Sequence, residues 1–367
     1  MKCAVDHSEI VSAAKSAAKA VQNKPTHPIL ACLRMEVLPD LQTLEIRGYN
    51  LKILICQRIK IADGQPGAIC VPVRAFIDLV SKFGGKEAIL LEAKGELLEI
   101  QTSCGHYSIT GQAADQFPGF EENNQSMRTI DIDDLRAGYE TTGSVVSDDQ
   151  NAILTGVSIK VGQKIQMCAT DGHRLNVWGD DPDQNEYQVV VPPGAIDQAV
   201  NMESWEENEI TMTDGGAYVK FSGPNTDIMA MKIEGDYPDY NALFPKQEDP
   251  EGCHLEVSKV AKTLERMTTV ASWSGKQLTA TIQCKQDVMQ IESSDDCGQG
   301  TEQIDVEMIK GTDWVLDINP KYLLEGLKVI KTPKARLNVT GATKPVVLVS
   351  DDHKQRLMIM PIQRRSA

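Results

Sequence analysis

The chain has 367 residues, 41% of them apolar and only 5% aromatic, with a formal net charge of −15. That length is about three times the commonest domain size of ~100–150 residues, and the ordinary apolar fraction excludes disorder, so several packed cores are expected. No stretch approaches the ~18 consecutive apolar residues that a membrane-spanning helix needs, and the N-terminal MKCAVDHSEI has no long apolar run, so a cytoplasmic protein without a membrane partner is expected.

The first predicted element is a short strand around Cys3-Ala4-Val5, and a helix follows at once. Asp6 or Ser8 can cap that helix, and Ile10, Val11, Ala14, Ala17, Ala18 and Val21 mark one apolar stripe at a spacing of three to four. Lys15 and Lys19, four apart, project together from another face. Strand-like runs LRMEVLP, TLEIRGYN and ILICQRIKI come next, then a strand end and second helix in VPVRAFIDLVSKF, then further strands with glycine turns in AILLEAKGELLEIQTSCGHYSIT.

The same order then returns twice. KCAVDHSEIVSAAKSAAKAV aligns with MRTIDIDDLRAGYETTGSVV and GCHLEVSKVAKTLERMTTVA, placing the anchors Ile10, Leu135 and Val260 at two steps of 125 residues. Pro72, Pro192 and Pro320 recur at 120 and 128, and the turn markers around Asn50, Gly172 and Asp295 at 122 and 123. Three markers in one order at nearly one period predict three equivalent domains in tandem, 1–126, 127–251 and 252–367. Each is of the α+β class, with two helices laid on one face of antiparallel sheet. Edge-to-edge pairing of such repeats curves, and a curved array closes most easily as a ring with its helices inside.

The charge is not shared equally. Residues 1–126 carry 13 Lys and Arg against 14 Asp and Glu, residues 127–251 carry 8 against 24, and residues 252–367 carry 16 against 14. The acidity belongs to the middle third. An acidic total does not exclude nucleic acid, because the charge on one surface decides. Nine cysteines, scattered singly without a CxxC pair, fit neither a disulfide framework nor a zinc site and are read as buried free thiols.

Ala169-Thr170-Asp171-Gly172-His173-Arg174-Leu175, Gly235-Asp236-Tyr237-Pro238-Asp239-Tyr240, Lys24-Pro25-Thr26-His27-Pro28-Ile29-Leu30 and Met358-Ile359-Met360-Pro361-Ile362 together resemble the bacterial DNA polymerase III beta sliding-clamp family, in order and over the whole chain. The resemblance implies the DNA clamp fold and a head-to-tail homodimeric ring around double-stranded DNA. It implies no sequence preference, no cofactor, no metal and no catalytic residue. A closed ring holds DNA topologically, so weak phosphate contacts suffice and permit sliding. The basic residues expected to line the ring are Lys15, Lys19, Lys259, Lys262, Arg266, Lys321 and Lys328, to which the family's motifs add Lys24 and Arg74. The middle repeat departs from the family: Ser147-Asp148-Asp149-Gln150-Asn151-Ala152 and Pro193-Gly194 stand where basic residues are common, so attraction to phosphate is expected to be poorer there.

The resemblance also implies a groove between the middle and last domains for short peptides of the replicative DNA polymerase, the clamp loader, repair polymerases and mismatch repair proteins. Its matching positions are Leu154, Thr170, Gly172, His173, Arg174, Leu175, Pro238, Leu243, Val347, Met358, Met360, Pro361 and Ile362, with Asn319 and Tyr322 at the rim. Methionines and aliphatics make an adaptable slot suited to several partners in turn. For ring closure it points to Phe76, Leu79, Phe83, Tyr107 and Ile109 on one side and Val270, Ala271 and Glu302 on the other.

Two rivals are weighed. An enzyme built on Asp171 and His173, with Asp236 or Asp239, lacks the convergent ligands or activated nucleophile such chemistry needs, and the other repeats carry GYN and SDD at the same turn. A clamp-like paralogue that serves as a partner scaffold without DNA loading is kept open by the acid middle third.

Overall fold

The computed structural model describes residues 1–22, 24–84, 88–119, 125–148, 152–182, 187–203, 205, 207–244, 251–273, 278–309 and 313–363. Among them are six helices: α1 (His7–Ala18), α2 (Val73–Val80), α3 (Ile132–Thr142), α4 (Pro193–Val200), α5 (Val257–Ala271) and α6 (Pro320–Val329). Each follows a strand at once or after one residue, two helices to a repeat, and every strand pairing is antiparallel. The three anchors Ile10, Leu135 and Val260 are fully buried.

The chain divides into two compact units, residues 1–133 with 194–232 and residues 134–193 with 233–367. The middle repeat is thus shared between them, and strand order gives the reason. In the first unit an eight-stranded sheet runs Ser126–Asp131, Glu209–Asp214, Tyr218–Ser222, Thr226–Met231, Ile53–Lys60, Thr43–Tyr49, Cys32–Leu38, Gly67–Pro72. The last strand of the middle repeat lies against the strand that follows the turn marker of the first, with Thr226 opposite Gln57 and Ala230 opposite Ile53. Arg58 and Asp227 form an ion pair across that joint. Burial works against the guanidinium, yet the Asp227 carboxylate more than offsets it and holds the Arg58 pKa above its ordinary value.

The second unit repeats this joint. Its nine-stranded sheet sets Gln355–Ile359, the last strand of the third repeat, against Arg174–Trp178, the strand after the middle repeat's turn marker, with Arg174 opposite Ile359 and Trp178 opposite Gln355. Two strands of the same kinds have no such counterpart. His106–Thr110, the last strand of the first repeat, is an edge of a five-stranded sheet, and Gly298–Asp305, the strand after the third turn marker, is an edge of a four-stranded sheet.

The helices explain how each repeat keeps its core. Asp6, rather than Ser8, caps α1: its carboxylate accepts from the Ser8 and Glu9 amides, and the Ser8 hydroxyl donates to it as well. Ile10, Ala13, Ala14 and Ala17 face inward, and the small residues let α1 lie almost on the sheet. A Cβ at Gly48 would meet the Ala17 carbonyl oxygen at 2.0 Å. On α5 the buried stripe is Val260, Leu264, Met267 and Ala271, and on α6 it is Leu323, Leu324 and Leu327; the two helices share one core. Seven of the nine cysteines are buried, as expected, but Cys104 and Cys297 are exposed in the turns leading into the two edge strands.

Candidate functional site

The turn markers are built alike. Asn50 Oδ1 accepts from the Lys52 amide at 3.0 Å, Asp171 Oδ1 from the His173 amide at 3.0 Å, and Asp295 Oδ1 from the Cys297 amide at 3.2 Å. Each is a short polar side chain closing its own turn. In the middle repeat the left-handed position falls on Gly172, with φ +85°, where no Cβ is strained. Asp171 also accepts from the Arg174 amide and, through Oδ2 at 3.0 Å, from Arg174 Nε. Both carboxylate oxygens are thereby engaged in holding a turn, which leaves Asp171 a structural role.

Arg174 is the centre of the site. Its guanidinium pairs with Glu325 of α6, donates to the Ser144 carbonyl oxygen at 3.4 Å, and stands 4.6 Å from the Tyr322 ring centroid. The His173 ring also faces Tyr322, with centroids 6.4 Å apart and planes inclined by 18°. Burial disfavours the Arg174 charge, but Glu325 and Asp171 outweigh it and hold its pKa above the usual guanidinium value.

The C-terminal segment is tied to this turn. The Met360 amide donates to the His173 carbonyl oxygen at 2.9 Å, and the Ile362 amide to the Asp317 carbonyl oxygen at 2.8 Å. Leu175, Val347 and Met358 form the buried floor of one cluster with Tyr237 and Tyr240, and Leu154 packs half-buried against it. Met360, Pro238 and Leu243 are exposed, Ile362 and Tyr322 half-buried, and Pro361 buried; Asn319 caps α6 by accepting from the Lys321 amide at 3.0 Å. The structure therefore brings Arg174, His173, Tyr322 and the Met358–Ile362 segment together around one apolar surface, with Thr170 closing the turn beneath by donating to the Arg174 carbonyl oxygen. Glu325 was not among the expected residues, because nothing local in the sequence marks a partner 151 residues away.

The basic residues fall into two kinds. Lys15, Lys19, Lys24 and Lys262 are exposed, and among the described residues no carboxylate pairs with them; Lys19 donates to the Asn201 carbonyl oxygen at 3.4 Å. The rest have partners within the chain: Lys259 with Glu256 at 2.8 Å, Lys328 with Glu265 at 2.9 Å, Lys321 with Glu325 at 3.8 Å, and Arg74 with Asp78 at 3.6 Å. Arg266 and Glu302, expected in different tasks, hold each other through two guanidinium nitrogens and both carboxylate oxygens.

Three of the residues expected at ring closure are packed within this chain: Phe76 and Ile109 lie in the first repeat's core, and Ala271 on the buried stripe of α5. Leu79, Phe83, Val270 and Glu302 are half-buried and Tyr107 is exposed, with Phe83 and Tyr107 rings 5.0 Å apart beside the edge strand. Asp149, Gln150 and Asn151 of the acidic stretch lie outside the described residues.

Comparison with known proteins agrees with the fold. Family models of the DNA polymerase III beta subunit match in order: the N-terminal domain at residues 1–121, the central domain at 134–239 and the C-terminal domain at 241–363. The beta sliding clamp of Synechococcus elongatus is 26% identical over 100% of both chains, and that of Bacillus subtilis is 25% identical over 99% of this chain and 100% of its own. Among solved structures, the DNA polymerase III subunit beta of Pseudomonas aeruginosa superposes with a TM-score of 0.90 at 20% identity, and that of Thermotoga maritima with 0.85 at 22%, each covering 99% of this chain and 100% of the other. Three domain models of one family, matched in order over nearly the whole length, place the chain in the DNA polymerase III beta subunit family, the sliding clamps.

Proposed function

We propose that two copies of this chain close head to tail into a ring that encircles duplex DNA, and that the surface around Arg174 and Met360 receives short peptides of the polymerase, the clamp loader and repair proteins. As a member of its family the chain is a processivity subunit of DNA polymerase III and not a catalyst. The observation that carries the ring is the joint: the last strand of one repeat pairs with the strand after the turn marker of the repeat before it, and only His106–Thr110 and Gly298–Asp305 of these two kinds lack that counterpart. A second copy supplies each with its missing partner and removes both edges. Tyr107, Phe83, Leu79, Val270 and Glu302 would flank the closing joint.

The lining lysines support topological rather than tight binding. Several are already paired with carboxylates, so phosphate must compete for them, and affinity of the unloaded protein for linear duplex should be weak and strongly salt-sensitive. No helix among the described residues is long and apolar enough to cross a membrane, which accords with a cytoplasmic replication protein. The test is loading onto nicked circular DNA by a clamp loader: the protein should stay on the circle and leave when it is linearised. A partner scaffold without DNA loading, the reading that the acid middle third favours, would show no retention.

A further inference from the structure

We propose that the first unit carries a second peptide-docking surface, and that its occupant is a short extended peptide in which an aromatic side chain neighbours an acidic one. The inference rests on reading the Met360 surface as a peptide groove, and its test scores the two surfaces separately.

The backbone hydrogen bonds of the two inter-repeat joints correspond. Where Asp171 accepts from the His173 and Arg174 amides, Asn50 accepts from the Lys52 and Ile53 amides at 3.0 and 2.7 Å. Where the Met360 amide donates to the His173 carbonyl oxygen at 2.9 Å, the Met231 amide donates to the Lys52 carbonyl oxygen at 3.0 Å. Leu54 lies opposite Met229 as Leu175 lies opposite Met358. Met231 therefore occupies the place of Met360, and the two project equally, 40% and 44% exposed. Beneath Met231, Leu30, Leu54, Tyr218 and Met229 belong to one buried cluster, as Leu175, Val347 and Met358 do in the second unit.

Leu51 points to a use for that surface. It stands where the other turn has Gly172, in the left-handed region with φ +70°, and its side chain is 48% exposed. A leucine there is strained where glycine would not be, and half of its side chain gains nothing from its own domain. Leu51 and Met231 thus rise from one joint as paired apolar projections, which is the mark of an interaction site.

The differences between the joints define the occupant. The Arg174 and Tyr322 part of the rim is missing: Asp197 stands where α6 has Glu325, but Ile53 replaces Arg174 and Gly194 replaces Tyr322, and an added Cβ at Gly194 would meet only the Ile53 Cδ1, at 3.8 Å. That open apolar ledge accepts an aromatic ring supplied by the partner. Lys52 is exposed, and among the described residues no carboxylate pairs with it, so the neighbouring charge favours an acidic residue.

Full-length protein with isotope-labelled methionine methyl groups would be titrated with the blocked pentapeptide SFDLS and its SFKLS counterpart. The Met231 resonance should shift with SFDLS, bind SFKLS about fivefold more weakly, and reverse that order in Lys52→Glu, as a single exposed charge contact allows. A Met231 resonance unmoved at millimolar SFDLS overturns the proposal, as does a shift that follows protein dilution instead of peptide, since the occupant would then be a second copy. Met360 reports in the same spectrum: its silence while Met231 moves shows that this peptide selects the first unit's surface, and the converse removes this site alone.

Discussion

Arg174 and Glu325, far apart in sequence, meet in an ion pair that fixes a guanidinium over the Tyr322 ring. Glu325 lies at the same time 3.8 Å from Lys321, so one carboxylate serves both the proposed groove and the proposed DNA face. Glu325→Gln removes the charge while keeping the shape. Partner peptide binding should weaken about fivefold, in keeping with ~1 kcal/mol for a partly exposed charged contact. Fluorescence anisotropy with a labelled polymerase peptide reads this directly, and unchanged affinity would remove Arg174 from the site.

Met360→Ala combined with Pro361→Ala removes one exposed and one buried side chain from the C-terminal wall of the groove without touching either edge strand. Stimulation of the polymerase should be lost while the sedimenting mass stays the same. Stimulation that survives would mean that partners dock elsewhere.

Tyr107→Glu places a charge beside Phe83 on an exposed edge position. Sedimentation should change from the mass of two chains to that of one, with the circular dichroism spectrum unaltered. A dimer that persists unchanged would contradict closure through His106–Thr110.

Gly48→Ala inserts a methyl group into the Ala17 carbonyl oxygen of α1. Backbone cannot move aside as a flexible side chain can, so the helix must lift and stability should fall by about 1–3 kcal/mol in urea denaturation. A neutral outcome would show that α1 is free to shift on its sheet.

Stability should also respond to acid with a defined sign. Asp6, Glu265 and Glu302 are held below the ordinary carboxylate range, chiefly by the Ser8 hydroxyl, by Lys328 and by Arg266 respectively. Groups with lowered folded pKa contribute fully above their unfolded values and lose that contribution as pH falls through the folded ones. The melting temperature should therefore be flat near neutrality and decline below about pH 4, less steeply at high salt. Lys259, raised by Glu256, keeps its share until the alkaline side. A melting temperature that rises on acidification from pH 5 to pH 3 would contradict these pairings.

The repeat was legible because it is written in local patterns: the anchors Ile10, Leu135 and Val260 and the three Asx turns recur wherever the chain rebuilds the same element. The joints were not, since pairing of Thr226 with Gln57 spans two repeats and leaves no mark on either strand alone. For the same reason Glu256 beside Lys259 could be seen in the helix spacing, whereas Glu302 under Arg266 could not. Phe76 and Tyr107 show a further limit. Both are aromatic residues near one edge, and only packing separates the core residue from the exposed one.

Cys104 and Cys297 give the molecule its own handles. They are the two exposed thiols among nine, and each sits at the mouth of an edge strand. Maleimide dyes would find these two positions in the unmodified protein and leave the buried seven alone. In a closed ring of one donor-labelled and one acceptor-labelled copy, the dyes on Cys104 of one and Cys297 of the other would bracket each seam, so opening and closing could be watched by energy transfer without altering a residue.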